Sequence, residues 1–303
     1  MFDINKVPSQ KGRIAIITGA NAGLGEETSR IFAEKDMKVI MACRNQKRGE
    51  EAKRKILAKV PKADLEVMQL DLSSLESIQA FVEDYKSNYS KLDLLINNAG
   101  IMVPPLMRTK ENFEIQFGVN HLGHFHLTNL LLPTITGTEN SRIVTLSSLA
   151  HQRGKIYFDD LNWEKSYSKW EAYGQSKLAN LMFTLDLDEK LKASGHKTMS
   201  VGAHPGVART SLARHFNKLT YLFLYPVFFF MTHTAEKGAM PTVMAALDDS
   251  VQGGEYFGPT GRKEMKGAPG RAEIMPHAKD KEVRDILWSV SEELSGKKFQ
   301  IVK

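Results

Sequence analysis

The feature that most constrains the fold is a junction near the N-terminus, where a short apolar run meets a glycine-rich turn. Residues 13–18 are nearly all apolar and lead straight into Thr18-Gly19-Ala20-Asn21-Ala22-Gly23-Leu24-Gly25. Strands covered by helices on both faces read as unbroken apolar runs of this kind. Glycines after the strand permit positive φ and let backbone amides approach a ligand closely. A helix opening after them aims its N-terminal amides at an anion. A glycine triplet alone also suits an ordinary tight loop, but between a buried strand and a helix it reads as the phosphate turn of a dinucleotide site.

The same rhythm recurs along the chain. Apolar, β-rich runs at 13–18, 38–42, 65–70, 92–97, 142–147 and 198–203 are each followed by a helical pattern. Ser73-x-x-Glu76 has the form of a capping box, opening a helix through about Tyr89, and Gly195 is placed to stop the helix that carries Tyr173. Strand–helix alternation predicts βαβ units, hence an α/β Rossmann fold with a doubly wound, mostly parallel sheet and helices on both faces. The 303 residues contain no internal repeat and no Pro/Gly/Ser linker, so 1–303 reads as a single domain. Within it we expect a core at about 12–258, a substrate lid at about 208–234 and a C-terminal extension at about 259–303. The end of the chain reads as a closing strand, a Gly/Pro-rich surface loop at 258–270 and an amphipathic packing helix near 279–294.

Charge and cysteine content narrow the class. The net charge is +6, but the densest basic stretch, Lys47, Arg48, Lys53, Arg54 and Lys55, is interleaved with Glu50 and Glu51. That is the pattern of a solvated helix face, so no nucleic-acid partner is expected. Cys43 is the one cysteine, which excludes an intramolecular disulfide and a cysteine-based zinc site. Residues 1–12 are polar and lack the apolar core of a secretory signal, so a cytoplasmic location is expected. The apolar run 219–231 is interrupted by Pro226 and falls short of the about 20 residues that span a bilayer. No transmembrane segment is expected there, and the run reads as a pocket lid, with a peripheral membrane contact as the second option.

The end of the second apolar run bears on which dinucleotide fits. A chain selective for NAD places an acid there for the ribose 2′-hydroxyl, whereas this one reads Met41-Ala42-Cys43-Arg44-Asn45. The Arg44 guanidinium is suited to grip a 2′-phosphate with two hydrogen bonds, so NADP(H) is expected. Asp71, with Leu72 beside it, follows the third strand, where its carboxylate can accept from an adenine amino group, help cap the next helix, or do both. Asn98, Ala99 and Gly100 end the fourth strand with small residues that let the chain pass close to the adenine ribose.

Tyr173-Gly174-Gln175-Ser176-Lys177 puts a phenol and an ammonium four residues apart on one helix, where they are neighbours. A nearby cation favours phenolate and draws tyrosine down from about 10, toward a value useful for proton transfer near neutrality. Taken alone, such a pair is also a common solvated surface feature.

Gly19-x3-Gly23-x-Gly25, Asp71, Asn97-Asn98-Ala99-Gly100, Asn120, Ser148, Tyr173-x3-Lys177 and Pro205-Gly206 occur in this order. Together they resemble the short-chain dehydrogenase/reductase family across about residues 12–258. The phrases FGVNHLGHF, RIVTLSSLAH, YGQSKLAN and HPGV are similar to the branch of retinol dehydrogenases, WW-domain oxidoreductases and light-dependent protochlorophyllide reductases. The resemblance implies a catalytic tetrad. In it Tyr173 is the general acid or base, and Ser148 hydrogen-bonds the reacting oxygen. Lys177 lowers the tyrosine pKa and holds the nicotinamide ribose, while the backbone of Asn120 anchors a water that relays protons from Lys177.

The resemblance also implies that Gly19, Asn21, Ala22, Gly23, Leu24 and Gly25 cradle the phosphates. Pro205, Gly206, Val207 and Thr210 then meet the nicotinamide, its amide and the phosphates, and the chain forms a homodimer or homotetramer. Ser148 is preferred to Ser147, since strand alternation puts the two on opposite faces and the family pattern favours the second. The substrate implied is a small carbonyl or alcohol. Aromatic residues between His151 and Trp170, with Met102 to Met107 and the lid, suggest a bulky apolar one, of retinoid, steroid or lipid aldehyde or ketone type, although they also suit satellite core.

Other readings compete. A nucleotide-sugar epimerase shares the Tyr/Lys chemistry but spaces its glycines Gly-x-x-Gly-x-x-Gly. A protochlorophyllide reductase carries cysteine near the pigment, whereas Cys43 falls beside the expected adenine-ribose site. A non-catalytic NADP-sensing module is expected to lose part of the tetrad, and all four residues are present. His121, His124 and His126 lack the further donors a metal site needs, so no metal is expected and helix packing or hydrogen bonding is the default. His204 faces either cofactor or core.

Overall fold

A computed structural model describes residues 2–207 and 233–301. In chain order these form β1 (Ile14–Thr18), α1 (Gly23–Glu34), β2 (Lys38–Cys43), α2 (Gln46–Lys59), β3 (Leu65–Gln69), α3 (Leu75–Asn88) and β4 (Leu94–Asn97). The short α4 (Ile115–Phe117) continues through a π-helical turn, Gly118–Leu122, into α5 (Gly123–Thr136). Then follow β5 (Arg142–Leu146), α6 (Lys169–Ala193), β6 (Met199–Ala203), α7 (Ala235–Leu247), β7 (Tyr256–Pro259), β8 (Pro269–Arg271) and α8 (Lys281–Leu294).

The strands make one sheet in the order β3-β2-β1-β4-β5-β6-β7-β8. β1 through β7 pair in parallel, and β8 adds an antiparallel edge through Phe257 opposite Arg271. This is the expected doubly wound fold. The chain leaves β1 toward β2 and β3, then returns to lay β4 on the other side of β1. Crevices at such a reversal, at the carboxyl ends of the strands, are where ligands bind.

Successive strand residues face opposite layers, and here both layers are apolar. Ala15, Ile17, Val39 and Met41 pack with Ile31 and Phe32 of α1, Ile56 of α2 and Val243 of α7. Ile16, Ile40, Leu95 and Ile143 pack with Phe81 of α3, Leu131 of α5 and Leu187 of α6. Full burial of each such side chain stabilises the fold by about 1.5–3 kcal/mol, so the sheet is held from both sides. α6 is 25 residues long and buried on nearly every face from Ala172 to Asp188, which makes it a rigid platform for the polar groups it carries.

Two helix starts and one edge strand differ from the sequence reading. The α3 cap is Ser74, whose hydroxyl accepts from Ser77 N at 3.2 Å. Ser73 is instead drawn back to Asp71 Oδ1, donating from both N (3.0 Å) and Oγ (2.6 Å), so the cap lies one residue later than expected and its N–H goes to Asp71 O. α8 begins at Lys281 because the Asp280 carboxylate accepts from Glu282 N and Val283 N. β8 went unpredicted because Pro-Gly-Arg has no apolar signal and exists as a strand only by pairing with β7. Gly195 does close α6, at φ +77.

The C-terminal extension folds back onto the body. Trp288 and Phe299 stack with Phe125 of α5 and Phe183 of α6, with ring centroids 4.7–6.1 Å apart. Arg284 is buried and donates to Glu189 at 2.8 Å.

Candidate active site

The carboxyl ends of β1 to β4 enclose a groove that gathers most of the residues singled out for the cofactor. Gly19, Asn21, Ala22, Gly23, Leu24, Gly25, Arg44, Asp71, Leu72, Asn98, Ala99 and Gly100 all line it. Gly19 and Gly23 hold φ of +67 and +59, as the turn requires. A Cβ on Gly25 would sit 2.5 Å from the Gly19 carbonyl oxygen and 2.6 Å from Asn98 Nδ2, so α1 approaches the turn as closely as only glycine allows. The N-cap of α1 is Ala22, which offers no side-chain oxygen to the first amides, whereas Asn45 and Ser74 cap α2 and α3. The amides of α1 are therefore left to an anionic ligand, and the cradle fits a dinucleotide pyrophosphate.

Arg48 joins Arg44 and Asn45 at the rim of this groove, a residue the sequence reading had assigned to a solvated helix face. The Asn45 side chain accepts from Arg48 N at 3.0 Å, fixing the first turn of α2 so that both arginines flank one opening. Asp71 lines the groove, and its Oδ1 accepts from Ser73 N and Oγ at the turn that precedes α3. Asn98 clamps β4 to β1 by donating from Nδ2 to Thr18 O at 2.7 Å.

Past Gly100 the groove reaches the expected tetrad. A Cβ on Gly100 would lie 3.4 Å from Asn120 Oδ1 and 3.5 Å from Lys177 Nζ. Asn120 is fully buried in the π-helical turn, a distortion that clusters at functional sites. Its Oδ1 accepts from Ile101 N at 2.8 Å, and its Nδ2 donates to Ile101 O at 3.0 Å and to Ser176 Oγ at 2.9 Å. Tyr173 and Lys177 are buried on α6. Lys177 donates to Leu146 O at 3.0 Å, and burial pushes its ammonium down to about 8.

Burial also raises the Tyr173 phenol, and a hydrogen bond with Ser148 works against that rise. The expected lowering by Lys177 is not what this geometry shows. The ammonium lies 5.9 Å from the centre of the phenol ring and spends a hydrogen on Leu146, so desolvation prevails.

Ser147 and Ser148 diverge as alternation requires. Ser147 Oγ turns inward and donates to Lys177 O at 2.7 Å, while Ser148 turns toward Tyr173. Pro205, Gly206 and Val207 continue from β6, next to β5, and lie outside the groove lining. Gly206, at φ +64, lies under the loop after β7, since a Cβ there would meet Met265 O at 2.4 Å. Thr210, most of the expected lid at 208–234 and the run 219–231 lie outside the described residues.

His204 faces the core. It is fully buried, its Nδ1 accepts from Gly206 N at 3.2 Å, and its ring packs on Tyr256 with centroids 5.1 Å apart. Trp163 is buried, and Tyr167 shares its hydroxyl with Pro104 O and Gln116 Nε2, so both serve as satellite packing. Leu106, Met107 and Trp170 are exposed. His121 is buried with Nε2 2.8 Å from Ser291 Oγ of α8, and His124 lies 2.8 Å from Thr18 Oγ1. Among the described residues no three His, Cys, Asp or Glu side chains are grouped to hold a metal.

Known proteins resemble this chain in sequence and in fold. The family model described as short chain dehydrogenase matches residues 13–219, and the chain belongs to that family. It is an oxidoreductase acting on alcohol and carbonyl groups with a nicotinamide cofactor. The chain is 40% identical over 291 residues to human retinol dehydrogenase 12, covering 95% of this chain and 88% of that protein. It is 41% identical over 296 residues to human retinol dehydrogenase 13, covering 94% and 85%. A solved structure described as an uncharacterized protein from Mycobacterium paratuberculosis is 40% identical, with a TM-score of 0.82 over 99% of both chains. A short chain dehydrogenase from Shigella flexneri complexed with NADP shares the fold, at 21% identity and a TM-score of 0.64 over 83% of this chain and 98% of that one.

Proposed function

We propose that the chain is an NADP(H)-dependent carbonyl reductase or alcohol dehydrogenase for bulky apolar substrates of retinoid, steroid or lipid aldehyde or ketone type. One observation carries this reading: the buried Tyr173, with Ser148 as its partner, stands beside Lys177 where the dinucleotide groove ends at Gly100. Gly19 to Gly25 and the open α1 amides hold the pyrophosphate, Asp71 and Asn98 to Gly100 the adenosine half, and Pro205 to Val207 the nicotinamide end. A nicotinamide held there would supply the hydride given to a carbonyl carbon or accept the one taken from an alcohol carbon.

Tyr173 gives the substrate oxygen its proton in reduction and takes it back in oxidation. Ser148 hydrogen-bonds the same oxygen, which steadies the charge that develops on it. Lys177, pushed down to about 8, exchanges protons near neutrality and relays them to Tyr173. The retinoid assignment rests on the two human retinol dehydrogenases at 40% and 41% identity. A pigment reductase is not favoured, because Cys43 is buried within β2 and its thiol is pushed up to about 12.

Arg44 and Arg48, in a stretch 41–48 that carries no acid, favour NADP(H) over NAD(H). A hydrogen bond to a charged group is worth about 1.5–3 kcal/mol, a preference of about tenfold to a hundredfold. Oxidation of NADPH with all-trans-retinal, a steroid ketone and a medium-chain aldehyde tests the reading, and Arg44→Asp should shift the preference toward NADH. Unchanged selectivity in that variant refutes the cofactor assignment. Tight NADPH binding with no turnover across the panel would instead support the sensing module.

A further inference from the structure

The histidines around Asn120 took no part in the chemistry above, yet one of them joins the two halves of the site. His124 is fully buried one turn beyond Asn120 on α5. Its Nδ1 lies 2.9 Å from the Asn120 carbonyl oxygen, and its Nε2 lies 2.8 Å from Thr18 Oγ1. That hydroxyl oxygen also accepts the amides of Asn98 and Ala99, each at 2.9 Å. We propose that His124 is a positioning residue for the reaction, a neutral imidazole that ties the main chain of the bulged Asn120 turn to the meeting point of β1 and β4. The proposal deepens, and for its kinetic arm rests on, the tetrad reading given above.

The hydrogen bonds assign the tautomer. A carbonyl oxygen only accepts, so Nδ1 carries the hydrogen. Thr18 Oγ1 has two lone pairs, and the amides of Asn98 and Ala99 occupy both. Its own hydrogen has two acceptors in reach, His124 Nε2 at 2.8 Å and Ile96 O at 3.3 Å, and the shorter contact is the one to Nε2, which accepts it. An imidazolium would bring a third N–H against an oxygen with no lone pair left. Burial and the nearby Lys177 charge act in the same direction, holding the ring neutral and pushing it down to about 4. With Asn120 also paired to Ile101 and Ser176, an unbroken buried chain runs from the nucleotide groove through Thr18 and His124 to the tetrad.

The consequence is a split that mere core packing does not produce. His124→Leu keeps the branching of the ring but loses both bonds. His124→Asn keeps a donor where Nδ1 stood and loses the reach to Thr18. With all-trans-retinal and NADPH, His124→Leu should lower kcat about tenfold or more, since displacement of about 1 Å at a reacting geometry carries up to a hundredfold effect. The alkaline limb of its kcat–pH profile should move as well. His124→Asn should recover most of kcat while its NADPH dissociation constant stays raised.

A Leu variant within about twofold of the unaltered enzyme overturns the proposal, and so do Leu and Asn variants that lose kcat equally with an unmoved pH limb. A measurement on the unaltered protein needs no variant to fold. Nitrogen-15 NMR of labelled histidine should find His124 protonated at Nδ1 and bare at Nε2 at pH 7, and the opposite tautomer or an imidazolium overturns the assignment. Tyr173→Phe, assayed alongside, separates the two failures. If it retains turnover the tetrad reading falls, while the NMR result still judges the His124 bridge.

Discussion

Lowering the pH from 7 to 5 should weaken this fold severely, through three buried imidazoles. Burial pushes His121 down to about 3, and His124 and His151 down to about 4, from an ordinary value of 6.5. All three side chains are almost completely shielded from solvent. Below pH 6.5 the unfolded chain takes up protons that the folded one refuses. The stability from these groups is therefore complete above about 6.5 and is lost as pH falls toward their folded values.

At pH 5 each imidazole is about 1.5 units below its unfolded value, a loss of about 2 kcal/mol at about 1.36 kcal/mol per unit. The three together remove about 6 kcal/mol, against a typical total stability of about 5–15 kcal/mol. Glu26, Glu114 and Asp186 have raised values from burial and act in the opposite sense. Their gain builds as pH falls from the raised folded values and is complete below the unfolded values of 4.5 and 3.8, so they offset part of the histidine loss. Urea unfolding at pH 7, 6 and 5, followed by tryptophan fluorescence, measures the slope. His121→Phe should remove about one third of it. A slope that His121→Phe leaves unchanged refutes the assignment of that ring as buried and neutral.

Other changes test other contacts. Gly25→Ala puts a methyl 2.5 Å from the Gly19 carbonyl, so fluorescence titration should show NADPH affinity reduced by at least about tenfold, and unaltered affinity rejects the close approach of α1. Trp288→Ala empties a four-ring cluster with Phe125, Phe183 and Phe299. It should cost about 3–5 kcal/mol in urea unfolding, and a cost under about 1 kcal/mol means that α8 does not seal α5 and α6.

What the sequence disclosed follows the range of the forces involved. The inner strands and the cofactor turn were legible because unbroken apolar runs and a glycine turn are local consequences of a sheet covered on both faces, while the edge strand β3 showed only a mixed apolar run. The groove lining was equally plain wherever a residue sits at a strand end, as Gly19, Arg44, Asp71 and Asn98 do. Arg48 escaped because a cationic helix face and a phosphate clamp have the same composition, and the Asn45 cap that turns the helix is a matter of three-dimensional geometry. The Tyr173 phenol was read in the wrong direction for a similar reason. Spacing on a helix gives the neighbour, but the desolvation that outweighs it comes from packing distant in the chain. β8 was invisible because its backbone pairing, and no side-chain pattern, makes it a strand.

The account stands or falls on the Tyr173 hydroxyl. Tyr173→Phe removes one oxygen from a residue buried beside Ser148 and leaves the groove residues in place. Turnover of NADPH with an active carbonyl substrate should fall at least about a hundredfold, the lower end for general acid–base catalysis, with NADPH binding retained. Near-normal turnover in that variant would contradict the central claim.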